Sequence, residues 1–154
     1  MNKILSMIIF FILVVLLSGC ASNPTGEQFS KLMTPTYQKS LVYLYRPDEY
    51  YGKGLSFKVK IDDEQIGDIG NGGYMIIPIY SGNHLIEVNG FGYENNPRTI
   101  SVSDMSIVFL KVVTKTKLGG FAAELSLELI QEKDAKRDMA SLNREPERFV
   151  NDKL

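Results

Sequence analysis

The sequence predicts a mainly β domain, an antiparallel β-sandwich or partly open barrel of about seven short strands with one C-terminal helix. Three observations carry that expectation. Apolar and polar residues alternate with a period of two in several stretches, and Gly, Asn, Pro or Asp bounds each of them. A length of 154 residues with 44% hydrophobic and 23% charged side chains fits one globular domain of ordinary size.

The first element is a leader. Met1 to Lys3 is a short basic start, and from Ile4 to Leu17 the chain carries no charge and a single polar residue, Ser6. That run is shorter than the roughly 20 apolar residues a bilayer-spanning helix needs. It ends in Leu17-Ser18-Gly19-Cys20, which resembles the lipobox of bacterial lipoproteins. The resemblance implies cleavage before Cys20 and a diacylglycerol on its thiol, making Cys20 an anchor and not a nucleophile. Two or three acyl chains, each burying about 0.8 kcal/mol per methylene, hold a protein on a membrane essentially permanently. The chain then divides into a signal peptide over 1–19, a lipidated tether over 20–39 and a sandwich domain with its helix over 40–154. Ala21 and Ser22 replace the Asp that retains such proteins in the enterobacterial inner membrane. A Gram-negative source implies the outer membrane, facing the periplasm; a Gram-positive one implies the outer face of the plasma membrane.

Residues 21–39 hold Asn23-Pro24-Thr25-Gly26 and Thr34-Pro35-Thr36, turn formers without a sustained period, and read as a tether on which Phe29, Leu32 and Met33 are able to dock. Strands follow at 41–46, 55–61, 74–80, 84–89, 98–102, 105–114 and 124–129. The clearest places Leu55, Phe57, Val59 and Ile61 on one face and Ser56, Lys58, Lys60 and Asp62 on the other. Residues 105–114 are apolar in both phases, as in a central strand covered on two faces. Pro78 lacks a ladder donor and belongs at an edge or a bulge. Leu125, Leu127 and Leu129 alternate with Glu124, Ser126 and Glu128, and this pattern outweighs their helix propensity. Beyond Ile130, Ala135, Met139 and Leu142 recur at helical spacing, with Glu132 four residues before Lys136 and Pro146 limiting the helix.

Leu41-Val42-Tyr43-Leu44-Tyr45-Arg46-Pro47, then Val59-Lys60-Ile61-Asp62-Asp63, Ile66-Gly67, Asn71-Gly72-Gly73-Tyr74 and Ser81-Gly82-Asn83-His84 together resemble the domain of unknown function 2846 family, found largely in bacterial lipoproteins. The likeness spans roughly 41–142. Asp63 and Glu64 stand where the family often has Gly and a basic residue, and Ser81 where Pro often precedes Gly. The resemblance implies an extracytoplasmic β-rich domain on a lipid anchor, and it brings no reaction, ligand or catalytic residue.

Composition narrows the chemistry. With 17 basic against 18 acidic residues, a nucleic-acid partner is not expected, and one His with one Cys builds neither a disulfide nor a His- or Cys-rich metal site. Asp62, Asp63, Glu64 and Asp68 lack the spacing of a calcium loop and read as a hairpin turn. His84, on the phase of Ile86 and Val88, reads as structural, since no Gly-x-Ser-x-Gly supplies a nucleophile. Arg46 is expected to pair with a neighbouring acid. Gly70-Asn71-Gly72-Gly73 and Gly90-Phe91-Gly92-Tyr93 lack a Walker lysine and read as turns. Lys58 and Lys60 form a solvated face.

What remains is aromatic. Tyr50, Tyr51, Phe91 and Tyr93 fall in expected loops beside glycine and amide residues, where rings suit a protein hot spot or a sugar face. The expectation is a noncatalytic envelope module without metal or cofactor, held to its membrane through Cys20 and meeting an envelope protein or a glycan. A glycan- or peptidoglycan-binding module and a weak hydrolase built around His84 are the alternatives.

Overall fold

The computed structural model describes residues 24–36, 38–116 and 123–146. The expected signal peptide and Cys20 lie outside the described residues. Among those described, no helix is long and apolar enough to cross a membrane.

The chain forms β1 (Ser40–Tyr45), β2 (Phe57–Ile61), β3 (Glu64–Ile69), β4 (Gly73–Ile79), β5 (Gly82–Asn89), β6 (Tyr93–Asn95), β7 (Arg98–Val102), β8 (Ile107–Thr116), β9 (Ala123–Leu129), α1 (Glu132–Met139) and β10 (Asn143–Arg144). Two sheets face each other, one ordered β10-β4-β1-β8-β9-β6 and the other β3-β2-β5-β7. The fold is the expected β-sandwich with a helix near the C-terminus. Between the sheets lies the main core, including Val42, Leu44, Phe57, Ile61, Ile86, Leu110 and Leu127. A second cluster covers the outer face of the six-stranded sheet, where Tyr43, Tyr45 and Phe109 meet Ala135 and Met139 of α1. All six residues of β1 are buried for that reason.

The six-stranded sheet is mixed. β1 pairs antiparallel with β4 but parallel with β8, and the β6–β9 and β10–β4 pairings also run parallel. Parallel neighbours need a long crossover, and the entire four-stranded sheet lies in the chain between β1 and β8. Period-two patterning locates strands without stating their direction, so the expectation of an antiparallel sandwich missed these three pairings. β8 is interior to its sheet, as its two apolar phases imply. Pro78 sits opposite Leu41, whose amide bonds Ser106 on the β8 side; that pair exchanges no hydrogen bonds and the proline nitrogen faces outward, beyond the short β10.

β3 is the return arm that the hairpin turn at 62–63 requires, and the short β6 and β10 lie beyond the expected elements. The helix is shorter than its spacing suggested. It ends at Met139, Leu142 turns back to bond the Met139 carbonyl at 2.8 Å, and the chain leaves as β10 well before Pro146. Eight residues do not hold a helix alone, so Ala135 and Met139, both fully buried, fix it to the sheet. Asp138 adds a polar tie, accepting hydrogen bonds from Lys111 Nζ at 2.9 Å and Tyr45 Oη at 3.2 Å. Burial and the Asp138 carboxylate both push the Tyr45 hydroxyl pKa upward.

The segment expected as a tether lies along the body over its described part. Gly26 N donates to Arg144 O at 3.0 Å, Arg144 N to Glu27 O at 2.9 Å and Phe29 N to Leu142 O at 2.9 Å, so the segment extends the six-stranded sheet beside β10. Phe29 stands edge-on to Tyr43 and Tyr74 at 6.3 and 5.8 Å, Leu32 joins the outer cluster, and the Met33 amide bonds Tyr43 Oη. Phe29 and Leu32 are apolar enough to replace water on this face.

Candidate functional site

At the C-terminal end of β1 the chain places Arg46, only 1% exposed. Its Nη1 donates to Leu55 O at 2.6 Å and its Nη2 to Gly52 O at 2.8 Å, while the guanidinium lies over the Phe57 ring at 4.0 Å. The expected pairing with an acid is thus replaced by two main-chain carbonyls; Nε has no partner among the described residues. Burial lowers the Arg46 pKa, and Tyr93, Glu49 and Glu145 act electrostatically against that shift. The backbone wins because β1 and β2 are joined by a loop that must fold over the end of the core, and its carbonyls point inward where the planar fork is waiting.

The loop's own acids are committed nearby. Asp48 accepts a hydrogen bond from Asn71 Nδ2, the Glu49 amide donates to Asn71 Oδ1 at 3.1 Å, and Thr114 Oγ1 donates to Glu49 Oε2 at 2.5 Å. Glu145, just after β10, accepts from the Gly70 amide. The two Asn71 bonds fasten the 47–56 loop to the 70–72 turn, while Thr114 ties the loop to β8 and Glu145 ties the turn to the end of β10. Sequence reasoning missed Asn71 and Glu145. The turn chemistry around Asn71 was visible, but a carboxylate 75 positions from its partner leaves no local pattern.

The same end brings in the 90–92 turn. Tyr93 packs edge-on against Phe57 with centroids 5.1 Å apart. A Cβ on Gly52, whose φ is +71°, would stand 2.9 Å from Tyr93 Oη and 3.1 Å from Arg46 Nη2, so the close approach of the two loops requires glycine. Gly90 abuts the Phe57 ring in the same way.

Of the four aromatic residues singled out in the sequence, three project into solvent. Tyr50 is 91% exposed, Tyr51 68% and Phe91 98%, with Leu55 beside them at 41%. Tyr50 and Tyr51 stand edge-on to each other at 6.3 Å. Tyr93 is half-buried and supports the loops from beneath. The neighbouring amides are engaged within the chain: Asn95 Nδ2 donates to Asn89 Oδ1 at 2.7 Å and Asn96 Nδ2 to Glu124 Oε1 at 3.2 Å. The result is a protruding aromatic tip on a fixed base.

The His84 region lies at the opposite end. His84 Nδ1 is 2.7 Å from Asp62 Oδ2 and Nε2 is 3.0 Å from the Tyr80 carbonyl, while the Leu85 amide donates to Asp62 Oδ1 at 2.8 Å. These bonds hold the turn between β2 and β3, in which Asp62 and Asp63 adopt φ of 49° and 68°. That left-handed pair is the geometry of a tight hairpin, and the histidine is engaged in bracing it. Burial alone would raise the Asp62 pKa, but the hydrogen bonds from His84 and Leu85 and the His84 charge outweigh it and hold it below the ordinary carboxylate value. Among the described residues no three His, Cys, Asp or Glu side chains gather closely enough to hold a metal ion.

A protein of Haemophilus influenzae described as uncharacterized is 29% identical over 137 residues, covering 84% of this chain and 77% of the relative. A family model matches residues 36–122, a span running from just before β1 past the end of β8 and including both loops of the aromatic tip. That span is more than half of the chain, and the chain belongs to the family described as protein of unknown function, DUF2846.

Proposed function

We propose that this protein is a noncatalytic, lipid-anchored component of the bacterial cell envelope whose β-sandwich serves as an interaction module, with the Tyr50–Tyr51–Phe91 end as its contact surface. The observation that carries the reading is the contrast between tip and base. Three large rings stand in solvent, while at their base Arg46 and Asn71 are hydrogen-bonded and Phe57 and Tyr93 are packed against each other. Exposing rings on a rigid support is costly for a soluble domain unless something covers them. The leader ending in Leu17-Ser18-Gly19-Cys20 supports attachment to a membrane outside the cytosol. In a Gram-negative cell that membrane is the outer one, at its periplasmic face.

The test is in-cell photo-crosslinking from position 51 or 91 in the full chain, with position 58, on the exposed face of β2, as control. Adducts at 51 and 91 that are absent from 58 support the assignment. An equal yield at all three positions, or none at any, removes it. Sedimentation with purified cell-wall glycan, lost on Tyr51→Ala, would instead identify a glycan-binding module.

A further inference from the structure

We propose that the envelope component met by the aromatic tip is the lipid bilayer itself, with Tyr50, Tyr51, Leu55 and Phe91 seated among the headgroups of the membrane that holds Cys20. The inference rests on the anchoring reading above and adds the orientation of the body on its membrane.

The first argument is reach. Gly26 is hydrogen-bonded to Arg144, which pairs with Tyr74, which in turn pairs with Tyr45, one residue before the Arg46 that receives the loop. The docked segment is therefore pinned level with the strand ends from which the tip projects. Five residues separate Cys20 from Gly26, and the six steps between them span at most about 22 Å fully extended. The acylated residue is confined to that distance, so the bilayer surface and the tip are near neighbours.

The second argument is chemistry. Tyrosine is amphipathic and favours the headgroup layer, with an apolar ring and a hydroxyl that stays hydrated. Phe91, on a turn between two glycines, is 98% exposed and projects as a wedge. Lys53 on the same loop carries a flexible stem whose ammonium is able to meet lipid phosphate. The tip protrudes and its flanking amides, Asn95 and Asn96, are already bonded within the chain, a poor match to a sugar that needs polar partners. A bilayer contact needs little intrinsic affinity here, because the anchor makes it intramolecular.

The chain has no tryptophan, so one introduced residue is a unique reporter. Phe91→Trp and Tyr51→Trp place it at the tip; Tyr80→Trp places it at the opposite end, beyond β4. Each is prepared as the full acylated chain in vesicles of phosphatidylethanolamine and phosphatidylglycerol with brominated acyl chains, and intact mass establishes acylation of Cys20 first. The expected result is a blue-shifted tip emission reduced at least twofold by the brominated lipid, with Tyr80→Trp unaffected. Acylated, vesicle-bound protein whose tip emission is unquenched, or quenched no more than that of Tyr80→Trp, overturns the orientation and leaves the anchor standing; retention of that protein on cell-wall glycan or an envelope protein would then name the occupant. A Cys20 without acyl chains overturns the anchoring reading and this one together.

Discussion

Arg46 holds Gly52 by its carbonyl at 2.8 Å, so both terminal nitrogens of a cation that is 1% exposed are bonded to the main chain of the loop it supports. The arginine is both the end of β1 and the floor of the aromatic tip. Charge and loop conformation are thereby coupled: releasing the loop would strand a buried guanidinium, and removing the guanidinium would take the donors from two partly buried carbonyls.

Arg46→Ala is accordingly expected to cost about 3 kcal/mol, the range for breaking a buried charge-assisted network. Urea unfolding measures the loss. The same variant should be cut faster by trypsin at Lys53, since the loop loses two of its ties, and a cleavage rate unchanged from the parent would separate the arginine from the loop.

Phe29→Ala is expected to cost about 2 kcal/mol, below the usual range for a core phenylalanine because the ring is half-buried. It removes two edge-on aromatic contacts and weakens the strap beside β10. Limited trypsin digestion should then show accelerated cleavage after Lys31, with the sandwich still folded by circular dichroism.

Acid should destabilise the fold in a defined window. Burial would raise the Asp138 pKa, yet the hydrogen bond and charge of Lys111, the Tyr45 hydrogen bond and Arg137 hold it lowered, and Asp62 is lowered by His84 and Leu85. A carboxylate with a depressed folded pKa contributes stability that is complete above its unfolded pKa of about 4 and lost as pH falls through the folded value. Urea midpoints should hold steady down to about pH 5 and drop towards pH 2. Asp138→Asn should be weaker at neutral pH and flatter across that window; a parallel curve would contradict the assignment.

Most of the strands were legible because one face of each is buried: Phe57, Val59 and Ile61 announce β2, and Leu125 and Leu127 announce β9. Strand direction was not, since β1 and β8 lie parallel through a crossover that leaves no mark on either pattern. β10 is invisible at two residues, because it forms where Gly73 and Tyr74 offer it an edge on one side and the 26–29 segment bonds it on the other. The tip was half legible. Ring chemistry beside glycines singled out Tyr50, Tyr51, Phe91 and Tyr93, but only three-dimensional packing separates the supporting Tyr93 from the three exposed rings. Arg46 stands out in the sequence but its acceptors do not, because carbonyls are carried by every residue and no sequence pattern distinguishes the ones that converge.

Mass spectrometry of the N-terminal peptide recovered from the membrane fraction tests the central claim most directly. The account predicts a chain beginning at Cys20 and carrying a diacylglyceryl group on its thiol. An unmodified Cys20, in a chain still beginning at Met1 and recovered from the cytosol, would contradict it.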